Sequence, residues 1–378
     1  MPRPHPTASR SPRRPAPTAA LVVAAFAAAV WGLLRLAPAS WIDGAWVHGV
    51  LPALTHAARP VLASVPGSLT GATIVLVLVG LGVAAARRGA AARWALLLAV
   101  AAVAGASFEA AWAVGYRRTP LEARLGLPEG APTQADLEAA TERLIAIATE
   151  AAPVDPASVD RDASWPTPSW TSAAACVAAA DAVVSERRTP LALADTVRRL
   201  PAGTMLSGGF SGFVGPWWRE PHLDGGLPPA AARATALHEL AHAAGWAREA
   251  ETDALGVLAG LRCDAAELRF AAAVHALGLL RAERARFAAG APDEALEQRL
   301  AALPEAVGRA AAAARDATAA YARPAVGRAA GATYDAYLRA QGVDAGLADY
   351  GRAGVLVAAA LARCDRTANA PLCPPSRF

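Results

Sequence analysis

Three long apolar runs in the first third of this 378-residue chain restrict its fold more than any other feature. The first, "TAALVVAAFAAAVWGLLRLA" (18–37), carries no charge before Arg35, and the second, "SLTGATIVLVLVGLGVAAA" (68–86), carries none. The third, "WALLLAVAAVAGASFEAAWAVGY" (94–116), is interrupted by Glu109. About 20 consecutive apolar residues are needed for a helix to cross the hydrocarbon core of a bilayer. The sequence therefore predicts a membrane region, 18–116, with transmembrane helices at about 18–37, 68–86 and 94–116.

The placement of arginine predicts the orientation of these helices. The N-terminal tail (1–17) is basic, and so is the loop "RRGAAAR" (87–93), whereas the loop between the first two helices carries only Asp43 and Arg59. Basic loops stay on the cytoplasmic side of the membrane. We therefore expect a multi-pass protein of the cell (inner) membrane with a cytoplasmic N-terminus and an extracytoplasmic domain, 117–378.

A second interpretation makes the first apolar run a cleaved signal peptide. The residues "APA" (37–39) resemble the small-residue site at which such peptides are cut. The apolar run is longer than the core of a usual signal peptide, which favours a retained helix. The C-terminal domain faces outward under either interpretation.

The positive net charge belongs to the membrane region and excludes a nucleic-acid partner. Every basic side chain is an arginine, and the formal net charge is +4. Removing the seven arginines that flank the apolar runs leaves −3 for the rest of the chain, so no basic domain is available to bind phosphates. These seven are Arg3, Arg10, Arg13, Arg14, Arg87, Arg88 and Arg93.

The outer domain is predicted to be mainly α, with a short β-containing segment. Residues 201–229, rich in Gly, Pro and Trp, are typical of short strands and turns, and the proline-rich residues 152–170 of a loop. Apolar residues at helical spacing predict helices elsewhere. These helices cover 133–152, 171–187, 229–245, 249–261, 265–289, 293–319 and 353–364.

The cysteines all lie in the outer domain, and their even number permits two disulfides in an oxidising compartment. The simplest pairing joins Cys176 to Cys263 and Cys364 to Cys373, although spacing alone does not fix connectivity. No CxxC spacing occurs, so a cysteine zinc site is not expected.

The stretch "TALHELAHAAGWAREAETDALG" (235–256) carries the strongest chemical signal. Positions i and i+4 lie on one face of a helix, so His238 and His242 can offer two imidazoles to one metal ion. Glu239 lies on the adjacent flank, which gives the HExxH arrangement of zinc metallopeptidases. The alternative is an alanine-rich helix with histidines on a wet face. It is disfavoured because apolar neighbours predict burial, where unpaired imidazole and carboxylate are costly.

A catalytic zinc ion needs a third protein ligand, and the residues after Gly245 offer three acids. Glu249 and Asp253 share a helical face, and their spacing resembles the second zinc-binding helix of thermolysin-like and membrane-embedded zincins. That resemblance implies that Glu249 is the third ligand and that Asp253 orients a ligand histidine. Glu251 is the reserve ligand. A merely solvated acidic turn is the remaining alternative.

The chemistry expected of such a site is metal-assisted hydrolysis. Zinc would lower the pKa of a bound water, and Glu239 would take its proton and later pass it to the leaving amine. A further donor is needed for the developing oxyanion, and the sequence does not choose among the candidates. These are His222, His275, Tyr334, Tyr337 and Arg339.

The aromatic segment before this helix has two interpretations. It could supply an edge strand along which an extended peptide aligns. Alternatively, Trp217 and Trp218 could be interfacial anchors near the lipid surface.

Four stretches resemble a bacterial family of uncharacterised membrane proteins, catalogued only as a domain of unknown function. The resemblance implies three N-terminal membrane helices and an extracytoplasmic, zincin-like HExxH domain. Thr252–Asp253 stand where Ala–Asn is more usual in that family. The stretches are "FEAAWAVGYRRTPLEARLGLP", "GGFSGFVGPWWREPHLDGGLP", "HELAHAAGWAREAETDALGVLA" and "TYDAYLRAQGVDAGLADYGR".

The sequence thus favours a membrane-anchored zinc metallopeptidase that acts on envelope proteins or peptides. Two alternatives remain. One is an inactive, zinc-stabilised membrane scaffold or binding protein, and the intact Glu239 argues against it. The other is a zinc hydrolase of a non-peptide amide or a lipid. An intramembrane protease is disfavoured because the HExxH helix contains Arg233, follows a Pro/Gly-rich segment and lies more than about a hundred residues beyond the last apolar run.

Overall fold

The computed structural model of the protein describes residues 18–128, 130–159, 170–287, 294–367 and 370–374. The predicted basic tail, 1–17, lies outside them, as do parts of the predicted loop 152–170 and of the predicted helices 265–289 and 293–319. The described residues are mainly helical, with a small sheet before the HExxH helix, which confirms the predicted fold class.

The strands are β1 (Arg198–Leu200), β2 (Gly212–Gly215) and β3 (Glu220–Asp224). The helices are α1 (Thr18–Arg35), α2 (Ala39–Trp41), α3 (Leu51–Ser64), α4 (Leu69–Ala86), α5 (Ala90–Ala111), α6 (Leu121–Arg124), α7 (Gln134–Glu150), α8 (Trp170–Val184), α9 (Pro229–Ala243), α10 (Glu249–Leu261), α11 (Ala266–Phe287), α12 (Glu294–Ala301), α13 (Glu305–Tyr321), α14 (Pro324–Ala340) and α15 (Ala353–Arg366).

Three helices of the described chain, α1, α4 and α5, are long and apolar enough to cross a membrane. Residues 18–36 and 74–110 form one compact unit that contains most of them. Within it, Glu109 accepts a hydrogen bond from the indole of Trp31 (3.2 Å) and lies 3.6 Å from a guanidinium nitrogen of Arg35. This pairing explains how an acidic residue fits into an apolar helix.

The third apolar helix is displaced from its predicted position. It begins at Ala90 and ends at Ala111, whereas the sequence predicts 94–116. The backbone of Trp112 leaves the helical conformation, and the following residues form a short 3₁₀ turn in which Tyr116 is fully buried. Tyr116 packs with Ala247 and Leu338, so tertiary contacts end the apolar helix early.

The second compact unit comprises residues 37–73 together with the chain from 111 onward. The sequence assigns no element to the segment between the first two apolar runs, but it is helical throughout most of its length. It forms α2, a π-helical stretch at Ile42–Val50 and then α3. Ile42, Trp46 and Leu51 are fully buried, so the segment belongs to the core of this unit.

The sheet has the order β1-β3-β2, with β1 parallel and β2 antiparallel to β3. Every residue of β3 is buried. The Glu220 carboxylate accepts hydrogen bonds from the backbone N–H groups of Leu69 (3.2 Å) and Thr70 (2.9 Å), and from Arg198 Nε (3.0 Å). One carboxylate therefore satisfies the free N–H groups at the start of α4 and ties them to the central strand.

Helices α9 and α10 lie at the centre of this unit, and every residue of α10 is buried. Helix α10 packs against α8, α9, α11 and α15. A side chain at Gly256 would meet the backbone of Leu237 and His238 at 3.0–3.1 Å, so glycine lets α10 lie directly against the middle of α9. This close approach sets the distance between the two helices that carry the predicted site.

The helices near the C-terminus differ from the prediction in two ways. The single helix predicted at 293–319 is interrupted between α12 and α13, where Pro304 precedes the first residue of α13 and disfavours a continuous helix. Helix α14 is not predicted, and its glycines at 327 and 331 weaken its intrinsic helical preference. It forms through packing against the segments Leu206–Gly208 and Gly346–Arg352.

The structure has the disulfides Cys176–Cys263 and Cys364–Cys373, the simplest of the possible pairings. The first joins α8 to the end of α10, and the second closes the chain after α15 onto that helix.

Candidate metal centre

Three side chains from α9 and α10 converge on one point. His238 Nε2 and His242 Nε2 each lie 3.3 Å from Glu249 Oε2. All three potential ligand atoms lie within 4.8 Å of one another, and no other such group of His, Cys, Asp and Glu occurs in the described residues. The turn between the helices makes this possible, because Gly245 adopts a positive φ of 91° that other residues rarely take.

The second nitrogen of each imidazole is held by an acceptor. His242 Nδ1 lies 2.7 Å from the carbonyl oxygen of Trp246, and His238 Nδ1 lies 3.3 Å from Asp253 Oδ1. A carbonyl and a carboxylate oxygen only accept, so Nδ1 carries the proton in both rings. In neutral imidazoles both Nε2 lone pairs therefore point towards Glu249.

The two His–Glu separations in this cluster have the length expected around a tetrahedral cation. Two lone pairs and a carboxylate oxygen repel one another unless a metal ion or a proton on Nε2 lies between them. Burial would lower the pKa of His238, but Asp253 and Glu249 raise it well above its usual value, so without a metal this ring takes up the proton. A tetrahedron with zinc–ligand bonds of roughly 2.0–2.1 Å has edges of roughly 3.3–3.4 Å, and the two His–Glu distances are 3.3 Å. The donor set of two imidazoles and one carboxylate is also one that zinc commonly takes.

The turn that orients His242 is itself fixed by buried contacts. The indole of Trp246 donates to Asp181 on α8 (2.9 Å), and the guanidinium of Arg118 stacks 4.0 Å from the centre of its ring. Thr252 also donates its hydroxyl to the Trp246 carbonyl (3.0 Å). The carbonyl that holds His242 is therefore immobilised from both sides.

Glu249 is held by two tyrosines in addition to the histidines. The Tyr334 hydroxyl donates to Glu249 Oε1, and the Tyr350 hydroxyl interacts with the same carboxylate. Burial would raise the pKa of Glu249, but His242 and His238 lower it well below its usual range. Burial and the neighbouring Glu249 charge raise the pKa of Tyr334 and of Tyr350, so both hydroxyls stay protonated and can donate.

Glu239 lies beside this cluster without belonging to it. It is only 3% exposed, and its Oε2 atom has no hydrogen-bond partner among the described residues. Burial raises the pKa of its carboxyl to about 7, although His238 and His242 oppose the shift. A buried carboxyl with a free oxygen and a pKa near neutrality is suited to accepting and releasing a proton.

A cavity of about 550 Å³ opens in front of Glu239 and His238. One wall is the glycine-rich segment 208–212, and Asp253, His275 and Tyr350 also line the cavity. Small molecules and peptide segments bind in concave sites of this size. Of the three cluster residues, His238 lines this cavity.

The predicted acids of α10 occupy different surroundings. Glu249 meets both histidines, whereas the reserve residue Glu251 lies 3.7 Å from Arg248 and outside the cluster. Burial raises the pKa of Glu251 to about 8. Asp253 contacts His238 as predicted, and it also accepts a hydrogen bond from His275 Nε2 (2.8 Å). Burial would raise the pKa of Asp253, but His275 and His238 lower it.

The predicted oxyanion donors divide into near and distant groups. Tyr334 contacts the cluster, and His275 lines the cavity but is engaged with Asp253. Tyr337 stacks on Tyr334 with ring centres 5.8 Å apart and does not line this cavity. The exposed Arg339 pairs with Asp335.

His222 and Trp218 make structural contacts around the sheet and the start of α4, away from the cluster. His222 is fully buried, stacks on Phe213 and lies 2.8 Å from Ser68 Oγ. The Trp218 indole donates to Thr73 Oγ1 (2.9 Å), while Trp217 is 38% exposed.

Sequence reasoning missed Tyr350 and Phe210. Both line the cavity, and Tyr350 also interacts with Glu249, yet each stands far from the HExxH motif in the sequence. No spacing rule connects them with the histidines. The only signal is that both fall in the stretches "TYDAYLRAQGVDAGLADYGR" and "GGFSGFVGPWWREPHLDGGLP" that carry the family resemblance.

Fold and site together define a mainly helical protein with membrane-length apolar helices and a buried His–His–Glu cluster. Residues 46–357 match the model of the family described as "Protein of unknown function (DUF3810)", and the chain belongs to this family. No curated protein and no solved structure matches the chain.

Proposed function

We propose that the protein is a membrane-anchored, zinc-dependent peptidase that acts on envelope proteins or peptides outside the cytoplasmic membrane. The observation that carries this proposal is the convergence of His238, His242 and Glu249 beside the free carboxylate oxygen of Glu239. A metal held only for stability needs no such base. Metal-assisted peptide hydrolysis needs both the metal and a base.

The chain's own residues account for binding and proton transfer. When bound, a zinc ion supplies a water of lowered pKa and polarises a carbonyl oxygen. Asp253 and the Trp246 carbonyl fix the two imidazoles with Nε2 free for the metal. Tyr334 and Tyr350 hold Glu249 in place. Glu239 accepts a proton on its free oxygen and returns it to the leaving amine.

An open strand edge beside Glu239 favours a peptide as the substrate. The Asp224 N–H donates to the Ser211 carbonyl, and Gly212 is opposite Leu223. Hydrogen-bonded and non-hydrogen-bonded pairs alternate along an antiparallel ladder, so the N–H and C=O of Gly212 face away from β3. Gly212 lines the cavity, and β2 is the last strand on that side of the described sheet. An extended peptide can therefore align along β2 next to Glu239.

Two observations support a position outside the cytoplasm. The N-terminal tail and the 87–93 loop together carry seven arginines, and the positive-inside rule therefore favours an outside position for the chain from residue 117 onward. The disulfides Cys176–Cys263 and Cys364–Cys373 require an oxidising compartment.

The test measures zinc content and hydrolysis with the full-length protein in detergent. We expect about one zinc ion per chain by elemental mass spectrometry. The zinc should be lost in His238→Ala and Glu249→Ala but retained in Glu239→Gln and Glu251→Ala. The wild type should cleave a peptide library, and Glu239→Gln should be slower by at least about a hundredfold. Chelation should abolish cleavage, and added zinc should restore it.

Other results indicate an alternative function or contradict the proposal. Zinc without cleavage of peptides, amides or lipids indicates a zinc-stabilised scaffold. Cleavage of a non-peptide amide or lipid alone indicates the other hydrolase. A folded wild-type protein that holds no zinc contradicts the proposal, and zinc loss in Glu251→Ala rather than Glu249→Ala contradicts the assigned ligand.

A further inference from the structure

A second, apolar concavity adjoins the candidate metal centre. We name it the apolar trough and define it by Phe210, Val326, Ala329, Ala330, Tyr334 and Tyr337. It has a volume of about 920 Å³ and is lined largely by one face of α14. None of its lining residues carries a charge, and Val326 is 50% exposed there. Contiguous exposed apolar patches on protein surfaces often mark binding sites.

The trough adjoins the cavity in front of Glu239 at one shared side chain. Phe210 lines both concavities. Its ring meets Tyr334 edge to face, with centres 5.5 Å apart, and the Tyr334 hydroxyl contacts Glu249. One end of the trough therefore lies at Tyr334, which contacts the His–His–Glu cluster, and its lining follows α14 from there.

The dimensions of the trough match a short extended peptide. Tyr334 and Val326 are eight helical residues apart, which corresponds to about 12 Å at 1.5 Å per residue. Alternate side chains of an extended chain lie on the same side about 7 Å apart. Two such side chains therefore fit along the trough.

We infer that the apolar trough is the specificity subsite of the proposed peptidase and binds two large apolar side chains at alternate positions on one side of the scissile bond. This inference rests on the proposed function. The small side chains of Ala329 and Ala330 leave room for Leu, Phe or Ile, and the absence of charge disfavours acidic or basic residues at those positions.

Binding tests the inference without requiring turnover. The full-length Glu239→Gln variant, in lipid nanodiscs with zinc, is titrated with fluorescent octapeptides that carry Leu at two alternate positions before or after a central Gly–Gly. The same peptides with Ser at those positions are the comparison. We expect at least about tenfold tighter binding of one Leu peptide, measured by fluorescence anisotropy.

Two substitutions on α14 provide the matched pair. Ala329→Trp fills the trough, and it should remove the preference for Leu over Ser. Ala332→Trp makes the same change at an exposed position of the same helix that does not line the trough, and it should leave the preference intact. Equal effects of both substitutions, or no preference for Leu, overturn the inference.

Wild-type cleavage separates this inference from the proposed function. Cleavage without an apolar preference overturns the subsite and leaves the peptidase. A Leu preference in binding that Ala329→Trp removes, with no cleavage by the wild type, supports the trough as a peptide site and contradicts the peptidase. An acyl-chain probe is then tested as a competitor. If it binds the trough while the peptide stays bound, the peptide does not occupy the trough, and the inference is overturned.

Discussion

At the scale of single residues, the candidate site depends on protons that are fixed by neighbours. The Trp246 carbonyl and Asp253 each accept a hydrogen bond from Nδ1 of one histidine. Both Nε2 atoms therefore face Glu249. Glu239 differs because it has a free oxygen and a pKa of about 7. Neighbouring groups thus distinguish the candidate ligands from the candidate base among the ionisable side chains of two adjacent helices.

We predict that Asp253→Asn weakens zinc binding by about 10- to 100-fold while the protein stays folded. The physical reason is that an amide no longer offers a charged acceptor to His238 Nδ1 and His275 Nε2. Competition with a chromogenic chelator measures the affinity. Glu251→Gln is the matched control, because Glu251 is equally buried on α10 but lies outside the cluster. Unchanged affinity in Asp253→Asn would show that the contact has no role in holding the metal.

At the scale of secondary-structure elements, β3 links the site to the start of a membrane-length helix. The Glu220 carboxylate binds the first N–H groups of α4, and two residues later His222 contacts Ser68, whose hydroxyl also accepts the Gly71 N–H (2.9 Å). Burial would raise the pKa of Glu220, but hydrogen bonds from His222, Thr70 and Arg198 lower it well below its usual range.

We predict that Glu220→Gln lowers the free energy of unfolding by about 3 kcal/mol at neutral pH, because buried donors then lose a charged acceptor. A carboxyl with a lowered folded-state pKa stabilises the fold above its unfolded value of about 4.3, and this stabilisation is lost as the pH falls further. The melting temperature, followed by tryptophan fluorescence, should therefore differ most at pH 7 and converge below about pH 4. The exposed Glu150→Gln is the control. A difference that grows as the pH falls would contradict this role.

At the scale of the whole molecule, the chain divides into two compact units that do not follow the order of the sequence. Residues 37–73, which lie between two apolar runs, belong to the same unit as the candidate site. That unit is cross-linked by both disulfides, which close loops of very different length, with sequence separations of 87 and 9 residues.

We predict that replacing Cys176 and Cys263 by serine destabilises the protein more than replacing Cys364 and Cys373. The chain-entropy model gives about 4.6 kcal/mol for the longer loop and about 2.7 kcal/mol for the shorter one. Thermal unfolding of the two double variants in detergent measures the order. After treatment with a reductant, the wild type should have a melting temperature at or below that of the less stable variant. The reverse order would show that the shorter disulfide holds the fold.

The amino-acid sequence by itself determined the features that depend on local composition and spacing. The three apolar runs follow from length and hydrophobicity, and the mainly helical character follows from periodicity. The pair His238 and His242 follows from the 3.6-residue helical repeat, and Gly245 marks the turn that brings Glu249 back. These features are local, so a single stretch of chain contains their cause.

Only the tertiary structure decided the features that join distant parts of the chain. The early end of α5 at Ala111, the helix α14 and the burial of Ile42, Trp46 and Leu51 depend on packing between segments far apart in sequence. Tyr350 lies about 100 residues from Glu249, so their contact leaves no periodic trace. Loop closure brings such residues together, and packing energy rather than local preference selects which ones meet.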